Sequence, residues 1–392
     1  MALTDVAANP LSRTDVQATL PRLLLAHAAA HGARTAMREK QRGIWQTWSW
    51  KMVSTQAREL AIGLQARGFA RGDRLLVIGD NQPRLYIAMA AAQMVGGVIL
   101  PVAAETPEHA LIELVRAQAV AFAVCGGVAQ CARLMGVRAR GGAPANLLLD
   151  RAADHSGGDG VIALDHLLAQ ARQSGQQEQD RLDRAIDEVH GADMAAILTF
   201  PHASLGSPPE VWAEPQAVVQ THDQAIALAR TQILQHALSP QDEILSYLPL
   251  GSRADHHFSY VLASTAGFSL NFPETSATVP TDLREIGPSL HVLPDWALKQ
   301  LMAGILRRAK DANIVSRLLF DRYVHRAPNG GAAGSALGRS LFHRPLCDVL
   351  GFGRTRLLFV DGRHVDPRAA AFFTSLGMEL TYLDDWAVMN HA

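Results

Sequence analysis

Apolar residues in this chain recur with two spacings, and the two alternate. Residues 20–31 place Leu23, Leu24 and Ala28 on one face, the spacing of a helix. Residues 44–50 alternate apolar with polar, as a strand does, and 51–67 return to a helical pattern that stops at Gly68. Gly72-Asp73 then opens a strand at 74–79, apolar after Arg74 and short enough to be buried on both faces. A helix is expected at 85–95, closed by Gly96-Gly97, then a strand at 98–102, a helix at 107–117 and a strand at 121–125. The run at 194–199 repeats the strand signal. Such repeating units predict an α/β fold, two lobes of mainly parallel sheet covered by helices, with a helix after most strands.

The regularity lapses in places. Residues 1–16 read as a loose leader. Gly141-Gly142 and 155–160 read as surface turns, and the polar stretch 174–187 as a linker or a solvated helix. A boundary is placed near 190, giving a first α/β lobe over 17–190 and a second over 191–392.

Composition adds exclusions. The 392 residues are 48% hydrophobic and 19% charged, ordinary for a globular chain, and long enough for large cores. A net charge of -1 gives no electrostatic case for nucleic acid or an acidic membrane. No apolar run approaches the ~20 residues of a membrane span. The N-terminus lacks the basic start and apolar core of a secretory signal. Three cysteines, Cys125, Cys131 and Cys347, suggest a reducing compartment without a disulfide framework. The spacing of Cys125 and Cys131 is not that of a zinc knuckle, and buried free thiols are expected. The reading is a soluble, cytoplasmic protein.

The stretch 197–222, ILTFPHASLGSPPEVWAEPQAVVQTH, carries the most chemistry. A phosphate cradle needs glycines, converging backbone N–H groups, hydroxyls and usually one lysine. Here one glycine, Gly206, stands between two hydroxyls, Ser204 and Ser207. Pro208 and Pro209 remove two donors, and Glu210 adds a carboxylate. A carboxylate 4 Å from a phosphate charge is repelled by about 1 kcal/mol even in bulk water. Two other patterns are weaker. Asp255-His256-His257 is a conceivable metal cluster, but adjacent residues seldom point at one ion, and no metal is expected. No G-x-S-x-G elbow is present, so a hydrolase is not supported.

The frame around the loop, an apolar strand before it and Val-Val-Gln-Thr-His at 218–222 after it, resembles that of the AMP-forming acyl-CoA synthetases. Their phosphate loop reads roughly YTSGTTGxPKG and then VxxTH. Further matches follow in order: Thr47-Trp48-Ser49-Trp50, Gly72-Asp73-Arg74 with Asn81, and 242–250 (DEILSYLPL), where Ser252 stands at the family's histidine. Residues 281–294, 342–353 and 357–373 resemble later segments, closest to those of long-chain acyl-CoA synthetases. The resemblance covers nearly the whole chain.

It implies positions for a nucleotide site, all altered from the family pattern. Thr199, Ser204, Gly206, Ser207 and Pro209 occupy the phosphate loop, with Pro209 in place of the lysine. Asp361 and Gly362 stand where a strand end contacts adenine. Asp384 and Asp385 lie near the Tyr-Gly-x-Thr-Glu segment, with Val388 at the Mg2+-binding glutamate, and a hydrocarbon cannot ligate that ion. The resemblance also places an acyl site along 247–272, at Tyr247, Leu250, Phe258 and Gly267. The family's C-terminal domain, with its catalytic lysine, is expected to be absent. Each lost preorganised donor of that kind costs ~2.7–4 kcal/mol of barrier. The expected function is a catalytically impaired, synthetase-like protein without catalytic residues, acting as an acyl-binding or partner subunit. Its expected partners are a fatty acid or acyl group and a full-length synthetase or other protein. The alternative is an active fatty-acid-CoA ligase that uses displaced residues or a partner's domain. Only that alternative calls for ATP, Mg2+ and CoA.

Overall fold

Helix α1 (Leu20–His31) forms over the residues its spacing marks, with Pro21 in the first turn, where the missing N–H is no loss. The structure is a computed structural model and describes residues 18–141, 144–150, 160–200, 216–311, 347, 351–361, 366–375 and 378–382. A hairpin follows, β1 (Thr35–Gln41) and β2 (Ile44–Ser49), then α2 (Trp50–Ala66), whose first turn is capped by the Ser49 hydroxyl accepting from the Met52 N–H at 3.2 Å. Next come β3 (Arg74–Gly79), α3 (Pro83–Met94), β4 (Val98–Ala103), α4 (Glu108–Ala117), β5 (Phe122–Cys125) and α5 (Val128–Ala139). The unit closes with β6 (Asn146–Leu149), β7 (Val161–Ala163), α6 (Leu164–Ala171), α7 (Gln176–Asp187), β8 (Met194–Phe200) and β9 (Gln216–Thr221). These strands make one sheet in the order β7-β6-β5-β3-β4-β8-β9, parallel except for β9 against β8.

Helix α8 (His222–Gln235) starts with a capping box between Thr221 and Gln224. It leads to β10 (Glu243–Leu245), a π-helix (Asp255–Leu262), α9 (Ala263–Ala266) and β11 (Ser269–Phe272). Then follow α10 (Val279–Ile286), β12 (Leu290–Pro294), α11 (Asp295–Asp311), β13 (Leu357–Asp361), α12 (Pro367–Ser375) and β14 (Glu379–Tyr382). The second sheet runs β14-β13-β12-β10-β11-β1-β2, parallel except for the β1–β2 hairpin.

The sheets interleave along the chain on either side of residue 190. Strands β1 and β2 precede the first sheet but join the second, through parallel pairing of β1 with β11; β8 and β9 follow residue 190 but join the first. Strand β1 escapes the apolar pattern because Glu39 and Lys40 are buried on it. Lys40 Nζ reaches Asp282 at 2.8 Å and Glu285 at 2.7 Å, so the charges are compensated across the fold. Strand β8 is an exception to the helix that follows most strands: the antiparallel β9 comes next. The 174–187 stretch is a mostly exposed helix that buries Leu182 and Ile186.

Alternation decides which core each strand residue enters. On β3, Leu75 and Val77 join a central core between the sheets, while Leu76 and Ile78 pack under α4 and α5. On β13, Leu357 and Phe359 join the same central core, and Leu358 and Val360 pack with α11 and α12. Helix α3 is buried on nearly every side, as expected of a helix in the middle of that core. Its Tyr86 ring lies 4.9 Å from Phe272 of the second sheet.

Candidate functional site

Of the nine nucleotide positions read from sequence, the structure describes Thr199 and Asp361. Thr199 lies in β8, paired with Ala217, at the end of the strand that leads into the loop. Asp361 ends β13 in register with Pro294. Both are at carboxyl ends of sheet strands, where α/β folds place ligands, but in different sheets. Ser204, Gly206, Ser207, Pro209, Gly362, Asp384 and Asp385 lie outside the described residues.

All four acyl positions are described, and they are tightly packed. The Tyr247 hydroxyl donates to the Val292 carbonyl at 2.7 Å. Leu250 is buried, and Phe258 is fully enclosed with its ring 4.7 Å from Phe359. Gly267 adopts φ +76 after α9, and a Cβ there would stand 2.6 Å from Cε1 of His27. A cavity of about 30 Å3 lies nearby, among Trp50, Tyr86, Tyr260 and Phe268, and none of the four positions lines it. That volume suits a water or two. Phe258→Asp or Gly267→Trp would therefore break this packing.

The polar chemistry gathers at the π-helix. Asn81 follows β3, Tyr86 stands on α3, Ser246 follows β10, and Asp255 opens the π-helix. All three neighbours donate to Oδ1 of Asp255: Tyr86 Oη at 2.8 Å, Asn81 Nδ2 at 2.9 Å and Ser246 Oγ at 3.0 Å. Asn81 Nδ2 also reaches the Ser246 hydroxyl and the Leu248 carbonyl, each at 2.8 Å. Burial raises the Asp255 carboxyl to about 7, against the donated bonds, which pull it down. Burial also lifts the Tyr86 phenol well above its ordinary value. The knot ties the first sheet to the turn after β10. Ser252, at the family's histidine, accepts from the Asp255 N–H at 3.1 Å. Gly251 adopts φ +77 with its Cβ direction 2.0 Å from the Pro101 carbonyl oxygen, so only glycine lets this turn lie on β4. Ser246 meets the carboxyl directly, with no imidazole between them, so the group is not a nucleophile with its base.

The adjacent histidines diverge, because neighbouring residues on a π-helix point different ways. His256 Nε2 meets Gln220 Oε1 at 3.0 Å, and His257 Nε2 meets Gln232 Oε1 at 2.8 Å. Burial lowers both to about 3, so they are neutral. Tyr260 donates to Gln93 Oε1 at 2.7 Å, and Gln93 Nε2 donates to the Ala195 carbonyl at 3.0 Å, which connects the π-helix to β8. His291 on β12 is fully buried and lowered by burial to about 3, and among the described residues neither ring nitrogen has a hydrogen-bond partner. Sequence reading missed the role of Asp255. Asp255 stands among polar neighbours, Ser252, Arg253, His256 and His257, so nothing local marked it for burial, and its partner Asn81 lies 174 residues away.

Two mixed sheets of mostly parallel strands, covered by helices and tied through a polar knot at their strand ends, define an α/β protein. The AMP-binding enzyme family model matches residues 24–381, and the chain belongs to that family. Solved structures agree on the fold. VinN in complex with L-aspartate is 15% identical, with a TM-score of 0.64, over 94% of this chain and 77% of that one. The N-terminal domain of FACL13 from Mycobacterium tuberculosis is also 15% identical, with a TM-score of 0.64, over 93% of this chain and 75% of that one. A Rhodopseudomonas palustris protein assigned as a long-chain-fatty-acid CoA ligase is 15% identical, with a TM-score of 0.62, over 93% of this chain and 74% of that one. No curated protein matches the chain. Among the described residues no helix is long and apolar enough to cross a membrane.

Proposed function

We propose that this chain is a catalytically impaired member of the AMP-binding family, of long-chain synthetase type, that acts as an acyl-binding or partner subunit in the cytoplasm. The observation that carries the reading is the chemistry of residues 204–210, where one glycine is followed by Pro208, Pro209 and Glu210 in place of donors and a cation. Enclosed packing at Leu250 and Phe258 favours the partner role over a preformed acyl tunnel, since ligand pockets are usually several hundred Å3. Three free, buried cysteines suit a reducing compartment. The second reading, an active ligase, draws on the strand frame that Thr199 and Asp361 keep.

Calorimetry with Mg2+ and ATP is the deciding measurement, and no saturable heat is expected. Micromolar ATP binding, followed by acyl-CoA formation on adding fatty acid and CoA, would overturn the reading in favour of the ligase. A fatty-acid series from C8 to C16 separates the two non-catalytic roles. Affinity rising with length, by up to ~0.8 kcal/mol per methylene, assigns acyl binding. Silence across the series, with co-elution beside an intact synthetase, assigns the partner role.

A further inference from the structure

Strand β2 (Ile-Trp-Gln-Thr-Trp-Ser) is the last strand of the second sheet, and among the described residues it pairs with β1 alone. Edge strands are ordinarily guarded by charges or proline, and β2 has neither. The hairpin is held firmly in place. Arg42 and Gly43, at φ 49 and 76, close a two-residue turn, and their N–H groups donate to the Glu274 carboxylate at 2.7 and 3.1 Å. The Trp45 indole donates to Glu285 at 3.0 Å. This turn makes Gln41 and Ile44 the closing hydrogen-bonded pair. Ile44, Gln46 and Trp48 therefore turn their N–H and C=O groups toward β1, and those of Trp45 and Thr47 face outward. Ile44 is 63% exposed, and Met52, in the first turn of α2 just past the strand, is 45% exposed.

We propose that β2 is a homodimer interface, in which β2 of a second copy pairs antiparallel with it about a twofold axis at Gln46 and joins two seven-stranded sheets into one. The strand is self-complementary in that register. Trp45 of each copy lies opposite Thr47 of the other, and these pairs exchange the outward N–H···O bonds. Ile44 lies opposite Trp48 on the face that Met37 shares with the central core, an aromatic–β-branched pair at each end of the interface. Gln46 meets its own copy at the axis, where each amide offers a donor and an acceptor. An axis at Thr47 instead would set Gln46 against Trp48 and leave Ile44 uncovered. An axis between two residues would oppose side chains of different faces. An unrelated strand could take the main-chain bonds, but a second copy also matches Ile44 with Trp48 twice. The edge is already fixed by Glu274 and Glu285, so pairing costs little ordering.

Sedimentation equilibrium on the full chain, from about 1 μM to about 1 mM, should show a reversible monomer–dimer equilibrium. Thr47→Pro removes an outward donor and none that β1 uses, so it should abolish the dimer. Ile44→Lys places a charge on the edge and should weaken the dimer by about tenfold or more. Because Ile44 is exposed, Ile44→Lys should leave the Tm of the dilute monomer unchanged, which keeps the test open if proline disturbs the hairpin. Gln46→Cys reads the register. Cα atoms across a non-hydrogen-bonded pair stand about 4.5 Å apart, within disulfide reach, so mild oxidation should link the two copies at residue 46. The native cysteines are buried and do not compete. Thr47→Cys should not cross-link. A monomer at every concentration, a dimer that Ile44→Lys leaves intact, or faster cross-linking of Thr47→Cys than of Gln46→Cys would each overturn the proposal.

Discussion

Strand β3 and the π-helix are both fully buried, yet they use burial in opposite ways. On β3, Leu75 to Ile78 simply send alternate side chains to two dry cores. On the π-helix, Asp255, His256, His257, Ser259 and Tyr260 take polar groups into the interior, and their partners come from α3, β9, α8 and the turn after β10. The first arrangement is additive and indifferent to pH. The second is conditional, because a carboxyl with three donors on one oxygen keeps its value only while every partner is in place. Apolar packing of the first kind tolerates substitution that a polar network of the second kind does not.

The contrast can be broken at several points. Leu76→Ala should cost roughly 2–5 kcal/mol, by the same amount at pH 5 and pH 8, in urea unfolding. A pH-dependent loss there would mean that the two regions are not separate in kind. Asp255→Asn should act through pH instead. The folded carboxyl stands near 7 against an ordinary 3.8, so its protonated form stabilises fully below about pH 4 and that contribution is lost as pH rises through 7. The variant should therefore match the wild type near pH 4 and exceed it by up to about 4 kcal/mol at pH 8.5. Asp80, also raised by burial, is present in both proteins and cancels in the comparison. Parallel stability curves for the two would remove the buried carboxyl from the account.

Smaller effects sharpen the picture. Tyr86→Phe removes one donor from Asp255 and should cost about 1–3 kcal/mol, with the greater loss above pH 7, where the acceptor is charged. An equal loss at pH 5 would point to packing of the ring alone. His291→Leu should stabilise by about 1 kcal/mol, because the imidazole is buried with both nitrogens unpartnered. Destabilisation measured by thermal unfolding would instead show that the ring is satisfied in solution.

Most of the scaffold was legible in the chain. The boundaries of α1 match the apolar spacing, and the strands expected at 74–79, 98–102, 121–125 and 194–199 are all present within a residue or two. Local pattern suffices there, because a strand buried on both faces and a helix covering it differ in spacing over a few residues. The family frame was legible for a related reason: strand ends and turns at 72–81 and 242–250 have distinctive local sequence. Strand β1 was not legible, since its buried Lys40 reads as exposed until Asp282 and Glu285 are brought to it. Nor was the π-helix, which has no helical spacing of its own.

What the sequence determined by itself is therefore the α/β class and the family, each carried by residues within about ten positions of one another. Tertiary structure alone decided that the β1–β2 hairpin crosses to the second sheet, that Leu250 and Phe258 are closed into a core, that Asp255 becomes a titrating knot, and that Cys125 and Cys131 enter the core under α4 and α5. Most of these depend on partners more than a hundred residues away, or on which face of a strand meets a helix. Burial and pairing at such separations set the energy of a polar group, and no local pattern encodes them.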